Sequence, residues 1–227
     1  MLNNFKLDSY LTKDYILKNL GGRKVNDLLE LDLMLNKARK LLEDNRMSNQ
    51  LMGAGQIYDQ RINFDSENYC TFTWDIERAK LICTELGVPV KNLKVDELRK
   101  TIVPSAIEEE YLKKGLKNDE PIIVASLPMI NSFAVIDGNH RVESRYRKNI
   151  RAVKGYYMET GQHYFAMPND TSRALFFVLT LVENIRRYLK GQLPKQDLMI
   201  CLSEIEPDKF YEVSVQKEFM DMLSGSK

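Results

Sequence analysis

This sequence predicts an α+β fold: a small mixed sheet in the middle, with helical additions at both ends. Three observations carry that expectation. Apolar residues recur at helical spacing through the first and last thirds of the chain. Three short β-branched runs cluster in the middle third. A glycine turn and a very basic helix separate the second of those runs from the third. With 227 residues, 44% of them hydrophobic and 29% charged, the chain can bury a sizeable core, which excludes wholesale disorder. Lys and Arg number 33 against 32 Asp and Glu, so the net charge of +1 excludes a uniformly basic coat but not a local basic patch. Cys70, Cys83 and Cys201 form no CxxC pair and neither His lies near them, which argues against a zinc site or a disulfide framework. The start of the chain lacks the apolar core of a signal peptide. The longest apolar run, Ala174 to Val182, is too short to span a bilayer. The expectation is a cytoplasmic protein with no membrane partner.

The elements follow in order. A short helix is expected around Lys13 to Leu20, then Gly21-Gly22 as a break. From Val25 to about Asp44, Leu28, Leu31, Leu35, Ala38, Leu41 and Leu42 keep helical spacing, with acidic residues early and basic ones late, as the helix dipole favours. Gly53, Gly55 and the polar stretch 63–68 read as loop. Thr73 to Leu86 resumes a helix, stopped by Gly87 and Pro89. Val88 to Val95 reads as a strand. Ser105 to Lys114 reads as a helix ended by Gly115. Strands are expected over Pro121 to Ser126 and Ser132 to Ile136, joined by a turn at Leu127 to Asn131. A basic helix covers His140 to Lys148 and a third strand covers Arg151 to Met158. Asn169 to Ser172 offer N-caps for a long helix, Arg173 to Lys190. Two further helices are expected, Gln196 to Ile205 and Val215 to Leu223. These elements divide the chain into a helical region (1–87), a core (88–159) and a second helical region (160–227) that packs on the core.

One segment carries chemistry. Val135-Ile136-Asp137-Gly138-Asn139-His140-Arg141 runs from an apolar strand through a glycine turn into a helix start. That is the layout of a phosphate site. Glycine lets the backbone approach a ligand, and the helix start offers free amides and partial positive charge. His140 and Arg141 add side-chain donors, and Arg145 continues the same helix face. Asp137 suits either Mg²⁺ or the orientation of His140. The bland alternative, a strand-end turn followed by a solvated basic helix, is weakened because strand, glycine and helix start coincide. Elsewhere, His163 reads as a loop histidine and Trp74 and the Phe176-Phe177 pair as core. Of Tyr156 and Tyr157, one could stack on a base, though packing is the better expectation.

Pro121-Ile122-Ile123-Val124, then Asp137-Gly138-Asn139-His140-Arg141, then Ile150-Arg151-Ala152-Val153 together resemble the ParB/sulfiredoxin superfamily. The resemblance covers Val88 to Glu159. It implies a nucleotide site in which Gly138, Asn139, His140 and Arg141 meet phosphates, joined by Arg145 on the reading of the helix face, with Mg²⁺ on Asp137 and with ATP, ADP or CTP as the nucleotide. Sulfiredoxins need a cysteine where this chain has Asn139, so their reductase chemistry is not expected. Partition proteins of the ParB type bind CTP and add a helix-turn-helix domain, for which the downstream helices offer no evident recognition helix. The loop is closest to that of free serine kinases, which move phosphate to a small hydroxyl acceptor with a glutamate base. That branch implies Glu97 as base, Asp137 and His140 as catalytic partners, and a phosphotransferase or NTPase acting on a small-molecule acceptor. Glu108, Glu109 and Glu110 are rivals for the base, but an acidic cluster at a helix start is more often a cap. The alternatives are a ParB-like DNA-binding protein or nuclease of a mobile element, with DNA weakly supported, and a non-catalytic protein-binding module.

Overall fold

The computed structural model describes residues 10–18, 31–44, 55–63, 69–104 and 107–203. In chain order the elements are α1 (Lys13–Leu17), α2 (Leu31–Asp44), β1 (Ile57–Asn63), β2 (Tyr69–Asp75), α3 (Ile76–Glu85), β3 (Val90–Lys94), α4 (Val95–Arg99), α5 (Glu109–Lys117), β4 (Ile122–Leu127), β5 (Ser132–Asp137), α6 (Asn139–Arg147), β6 (Ala152–Met158), α7 (Thr160–His163), α8 (Asp170–Leu189) and α9 (Lys195–Ser203). Short 3₁₀ turns cover Pro128–Ile130 and Tyr164–Ala166. The fold is mixed α+β with small sheets, as the sequence predicts.

The chain forms two compact units, which cut across the three-way division read from the sequence. One takes its described residues from 1–52, 61–71 and 169–227; the other comprises 53–60 and 72–168. In the first, α1, α2 and α9 each contact α8. Helix α2 buries Leu35, Ala38, Leu41 and Leu42 along one stripe, while Asn169 caps α8 by accepting from the Ser172 amide at 2.8 Å.

The second unit is built on a four-stranded sheet in the order β3-β6-β4-β5. β3 pairs antiparallel with β6, β6 parallel with β4, and β4 antiparallel with β5. One face buries Ile122, Val124, Val135 and Val153 with Val95 and Leu98 of α4 and Val142 of α6. Each such side chain removed from water contributes about 1.5–3 kcal/mol. The opposite face buries Ile123, Ala125, Leu127, Ala134, Ile136 and Met158, with α7 packed on β4 and β6 and α3 touching α7.

Several boundaries differ from the sequence reading, each for a physical reason. Helix α3 starts at Ile76 because Asp75 caps it, accepting from the Arg78 amide at 3.0 Å. Thr73 and Trp74 instead finish β2. The segment 57–63, not marked in the sequence as an element, is a strand with Gln60 and Ile62 inward; a buried Gln obscures the alternation. Gly115 lies inside α5 rather than ending it. A Cβ there would stand 2.8 Å from the His140 carbonyl oxygen, so the glycine lets α5 press against the backbone of α6. A short helix, α4, follows β3 directly and carries Glu97. The strands at 122–127, 132–137 and 152–158 and helix α8 match expectation to within a few residues. The start of the second predicted helix (25–30), the ends at 19–20 and 204–205, and the helix at 215–223 lie outside the described residues. Cys70 and Cys83 are free and buried. Burial pushes both thiols up, Cys83 to about 12, which keeps them protonated and unreactive. Among the described residues no helix is long and apolar enough to cross a membrane.

Candidate functional site

The candidate loop lies where β5 ends. The register of β4 against β5 shifts between Ile123 and Val124, so Ile123 faces Asp137 while Val124 faces Val135. This irregularity turns the end of β5 just before the loop. Gly138 then adopts φ +100°, and a Cβ on it would collide with Ile122 and stand 2.9 Å from Arg141 Nε. Only glycine fits this corner. α6 begins at once, with Gly138 as N-cap, no side-chain cap and no acidic residue in its first turn. Its first intrahelical bond is Val142 N–H to the Gly138 carbonyl at 3.0 Å. Among the described residues the amides of Asn139 and His140, in half-buried residues, have no acceptor and remain as unspent donors at the positive end of the helix.

The side chains divide into those held inward and those left at the surface. Arg141 is buried; its Nη1 donates to the Glu120 carbonyl at 2.9 Å and its Nη2 to Asp137 Oδ2 at 2.6 Å. Arg145 is buried too; it donates to the carbonyls of Gly115 at 3.1 Å and Asn118 at 3.0 Å, and to Asp119 Oδ1 at 3.1 Å. Both guanidiniums that the sequence reading assigns to phosphate are thus engaged within the fold. They clamp the connection between α5 and β4, whose carbonyls would otherwise lack partners. Asp137 does not orient His140; its Oδ2 is committed to Arg141 and its Oδ1 stays outside that pair. Glu143, also buried, pairs with Arg99 from α4 and with Arg147 at 2.8 Å, which ties α4 to α6.

His140 accepts a hydrogen bond on Nε2 from the Glu108 amide at 3.1 Å. An accepting Nε2 requires the neutral ring with its proton on Nδ1, which leaves Nδ1–H as the free donor. The ring sits 5.4 Å from that of Tyr111. His140 therefore serves as the missing cap of α5, whose N-cap residue makes no side-chain bond. Asn139 is held by Tyr58, whose hydroxyl donates to Gln60 Oε1 at 2.7 Å. Burial raises the Tyr58 hydroxyl, and a hydrogen bond from Asn139 works against that rise. Asn139 Oδ1 is buried without a partner among the described residues. Tyr58 and Tyr111 are thus neighbours of the loop that sequence reasoning did not connect to it, while Glu108, weighed there only as a rival base, meets it through its backbone amide. Each arrives from a segment remote in sequence, and no local pattern encodes that.

Glu97 is not brought to the loop. It is exposed on α4 and bonded to Lys100 at 2.7 Å, which holds its carboxylate below the ordinary range. It borders a groove of 280 Å³ over the sheet, lined by Leu93, Leu98, Val124, Phe133 and Tyr157. The expected loop histidine, His163, is fully buried. Its Nδ1 accepts from Trp74 Nε1 at 3.2 Å, and its Nε2–H donates to the Ser126 carbonyl at 2.7 Å. Among the described residues no group of three or more His, Cys, Asp or Glu side chains could hold a metal ion. Comparison with protein-family models, with curated proteins and with solved structures yields no match.

Proposed function

We propose that the protein binds the phosphates of a nucleoside di- or triphosphate at the start of α6, in the manner of a ParB/sulfiredoxin-like domain, and acts as a Mg²⁺-dependent phosphotransferase or NTPase. One observation carries the reading: a nine-residue helix begins directly after a strand, through a glycine no other residue could replace, with its first amides uncapped. Such amides and the helix dipole favour an anion without any side-chain charge. The ligands in this reading are the backbone at Gly138, Asn139 and His140, with His140 Nδ1–H as a further donor. Arg141 and Arg145 position the loop. Asp137 Oδ1, outside the Arg141 pair, fits a Mg²⁺ whose other ligands are phosphate oxygens and water. Such an ion would offset charge on the phosphoryl group. Glu97 stays the proposed base although it lies away from the loop, so the acceptor hydroxyl would have to reach it from the groove it borders, and the lysine bonded to it makes it a weak base. Glu108, whose amide touches His140, is the competing carboxylate.

The test is a thermal-shift panel of ATP, ADP and CTP, each with and without Mg²⁺. At about a hundred times Kd, a bound nucleotide stabilises by about 2.7 kcal/mol. Asn139→Asp sets a negative charge against the phosphates but also buries a carboxylate and loses the Asn139 bond to Tyr58, so a parental melting temperature without nucleotide is its control. It is expected to abolish the shift. A panel with no response, or an Asn139→Asp protein that responds like the parent, overturns the proposal. Phosphate transfer to an acceptor, where observed, should vanish in Glu97→Gln while the shift persists; transfer that survives moves the base elsewhere, with Glu108→Gln the next variant.

A further inference from the structure

The two edges of the four-stranded sheet differ. β5, at one edge, has its central residues Ala134, Val135 and Ile136 buried. β3, at the other, exposes four of its five residues, and only Leu93 is half-buried. The register of β3 on β6 fixes which backbone groups stay open. Lys94 faces Ala152, and at the next position the Val95 amide donates to the Arg151 carbonyl at 3.0 Å. Hydrogen-bonded and non-bonded pairs alternate along an antiparallel ladder, so Leu93 and Lys91 also turn their N–H and C=O groups toward β6. Val90 and Asn92 therefore turn both groups outward. Lys94 turns its N–H outward, while its carbonyl, at the N-cap, starts α4. Among the described residues no other backbone pairs with this edge.

The same register sorts the side chains onto two faces. Leu93 and Lys91 share one face with Val153 and Tyr157. There Leu93 lines the apolar groove with Phe133 and Tyr157, and Glu97 borders it. Asn92, Lys94 and Lys154 share the other face, with Lys154 opposite Asn92 and Lys94 diagonal to it. No acid occurs from Leu86 to Val95 or from Ser144 to Met158, and Glu97 on α4 is bonded to Lys100. Lysines on an edge strand guard it against pairing, and a second copy of this chain would bring only more lysine. An acidic strand reverses the sign, because opposite charges on neighbouring strands attract. A strand laid on β3 alternates as β3 does. Its residues opposite Asn92 and Lys94 fall on the lysine face, where acids fit. Its residue opposite Leu93 falls on the face of the groove that Glu97 borders, where an apolar side chain fits and another carboxylate does not.

We propose that β3 is a docking edge for an extended acidic segment of a partner protein, added as a further strand in the order acid, apolar, acid. The carboxylates lie toward Lys94 and Lys154, and the apolar side chain lies against Leu93. The test uses no nucleotide, so it is decided apart from the nucleotide reading.

The experiment is fluorescence anisotropy of a short labelled peptide, blocked at both ends and with Glu-Val-Glu at its centre, titrated with the full chain. Saturable binding is expected at about 50 mM salt, and weaker binding at about 150 mM. Peptides with Glu-Glu-Val or Lys-Val-Lys at the centre should bind about tenfold or more weakly. Lys94→Glu with Lys154→Glu should invert the preference, losing about tenfold or more for Glu-Val-Glu and gaining the Lys-Val-Lys peptide. Asn92→Pro removes an outward N–H and spares the β3–β6 ladder, so at a parental melting temperature it should abolish binding. N-methylation of the peptide at alternate residues probes the same bonds without changing the protein: one phase should block binding and the other keep it. No saturable binding of Glu-Val-Glu, or indifference to both N-methylated phases, overturns the proposal. Equal affinity for Glu-Glu-Val also overturns it, because the edge is then a polyanion patch only. A parental dimer that Asn92→Pro makes monomeric, with no peptide bound, gives the edge to a second copy and overturns it as well.

Discussion

Gly115 and Gly138 fix the candidate loop from two sides, for different reasons. At Gly115 the constraint is space: α5 lies against the carbonyl of His140, and an added methyl would meet it at 2.8 Å. Backbone cannot swing aside as a side-chain tip can, so Gly115→Ala must push α5 away from α6. The expected cost is about 1–3 kcal/mol, read as a lower denaturation midpoint at unchanged m-value. Because His140 reaches from α6 to the Glu108 amide of α5, the same shift should stretch that bond and weaken any ligand held by the loop. At Gly138 the constraint is both space and φ +100°, so Gly138→Ala should cost more than Gly115→Ala. Equal or smaller destabilisation at Gly138 would mean that the corner can relax. The sequence marks Gly138 plainly, by its place between strand and helix. It misplaces Gly115 as a helix end, because glycine near the last turn usually is one, and the close approach of a second helix leaves no local trace.

At the scale of elements, α6 is the piece whose chemistry and structure the sequence confounds. A run rich in arginine after a glycine turn looks like a set of phosphate ligands. The fold spends two of those arginines on backbone carbonyls between α5 and β4 and another on Glu143 and Glu109. What remains legible is the layout of strand, turn and helix start. What is lost is the partner of each side chain, since partners come from loops remote in sequence. Arg145→Lys separates the two roles. It keeps the charge but loses the planar fork, leaving buried carbonyls of Gly115 or Asn118 unmatched. Destabilisation of about 1–3 kcal/mol is expected, with the ratio of nucleotide-bound to free melting shift preserved. A variant of parental stability that loses only the nucleotide response would restore Arg145 to the phosphate site.

Across the whole molecule, the elements with strong periodicity were legible: α8, the stripe of α2, and the strands β4, β5 and β6. The division into units was not, because β1 and β2 lie in a stretch whose buried Gln60 and short runs hide their period. Nor was the role of His163, which reads as a loop residue but ties the Trp74 indole to the Ser126 carbonyl inside the sheet unit. That burial has a consequence for stability against pH. Desolvation pulls the His163 imidazole down from 6.5 to about 4, with the hydrogen bond to the Ser126 carbonyl working the other way. Above pH 6.5 the folded and unfolded chains both hold it neutral, so the contribution is complete there. As pH falls below 6.5 the unfolded chain takes up a proton that the folded chain refuses until about pH 4, so stability drops through that window. The full loss is about 3 kcal/mol. Carboxylates also begin to titrate near the lower end, so the measurement is a comparison. His163→Gln, which can still accept from Trp74 and donate to Ser126, binds no proton in this range. Urea unfolding at a series of pH values between 7 and 4 should show the parent losing stability faster than the variant, most steeply between about pH 6 and pH 4.5. Parallel curves would mean that water reaches the ring in the folded state, and with it that the Trp74–His163–Ser126 chain does not close the interior of this unit.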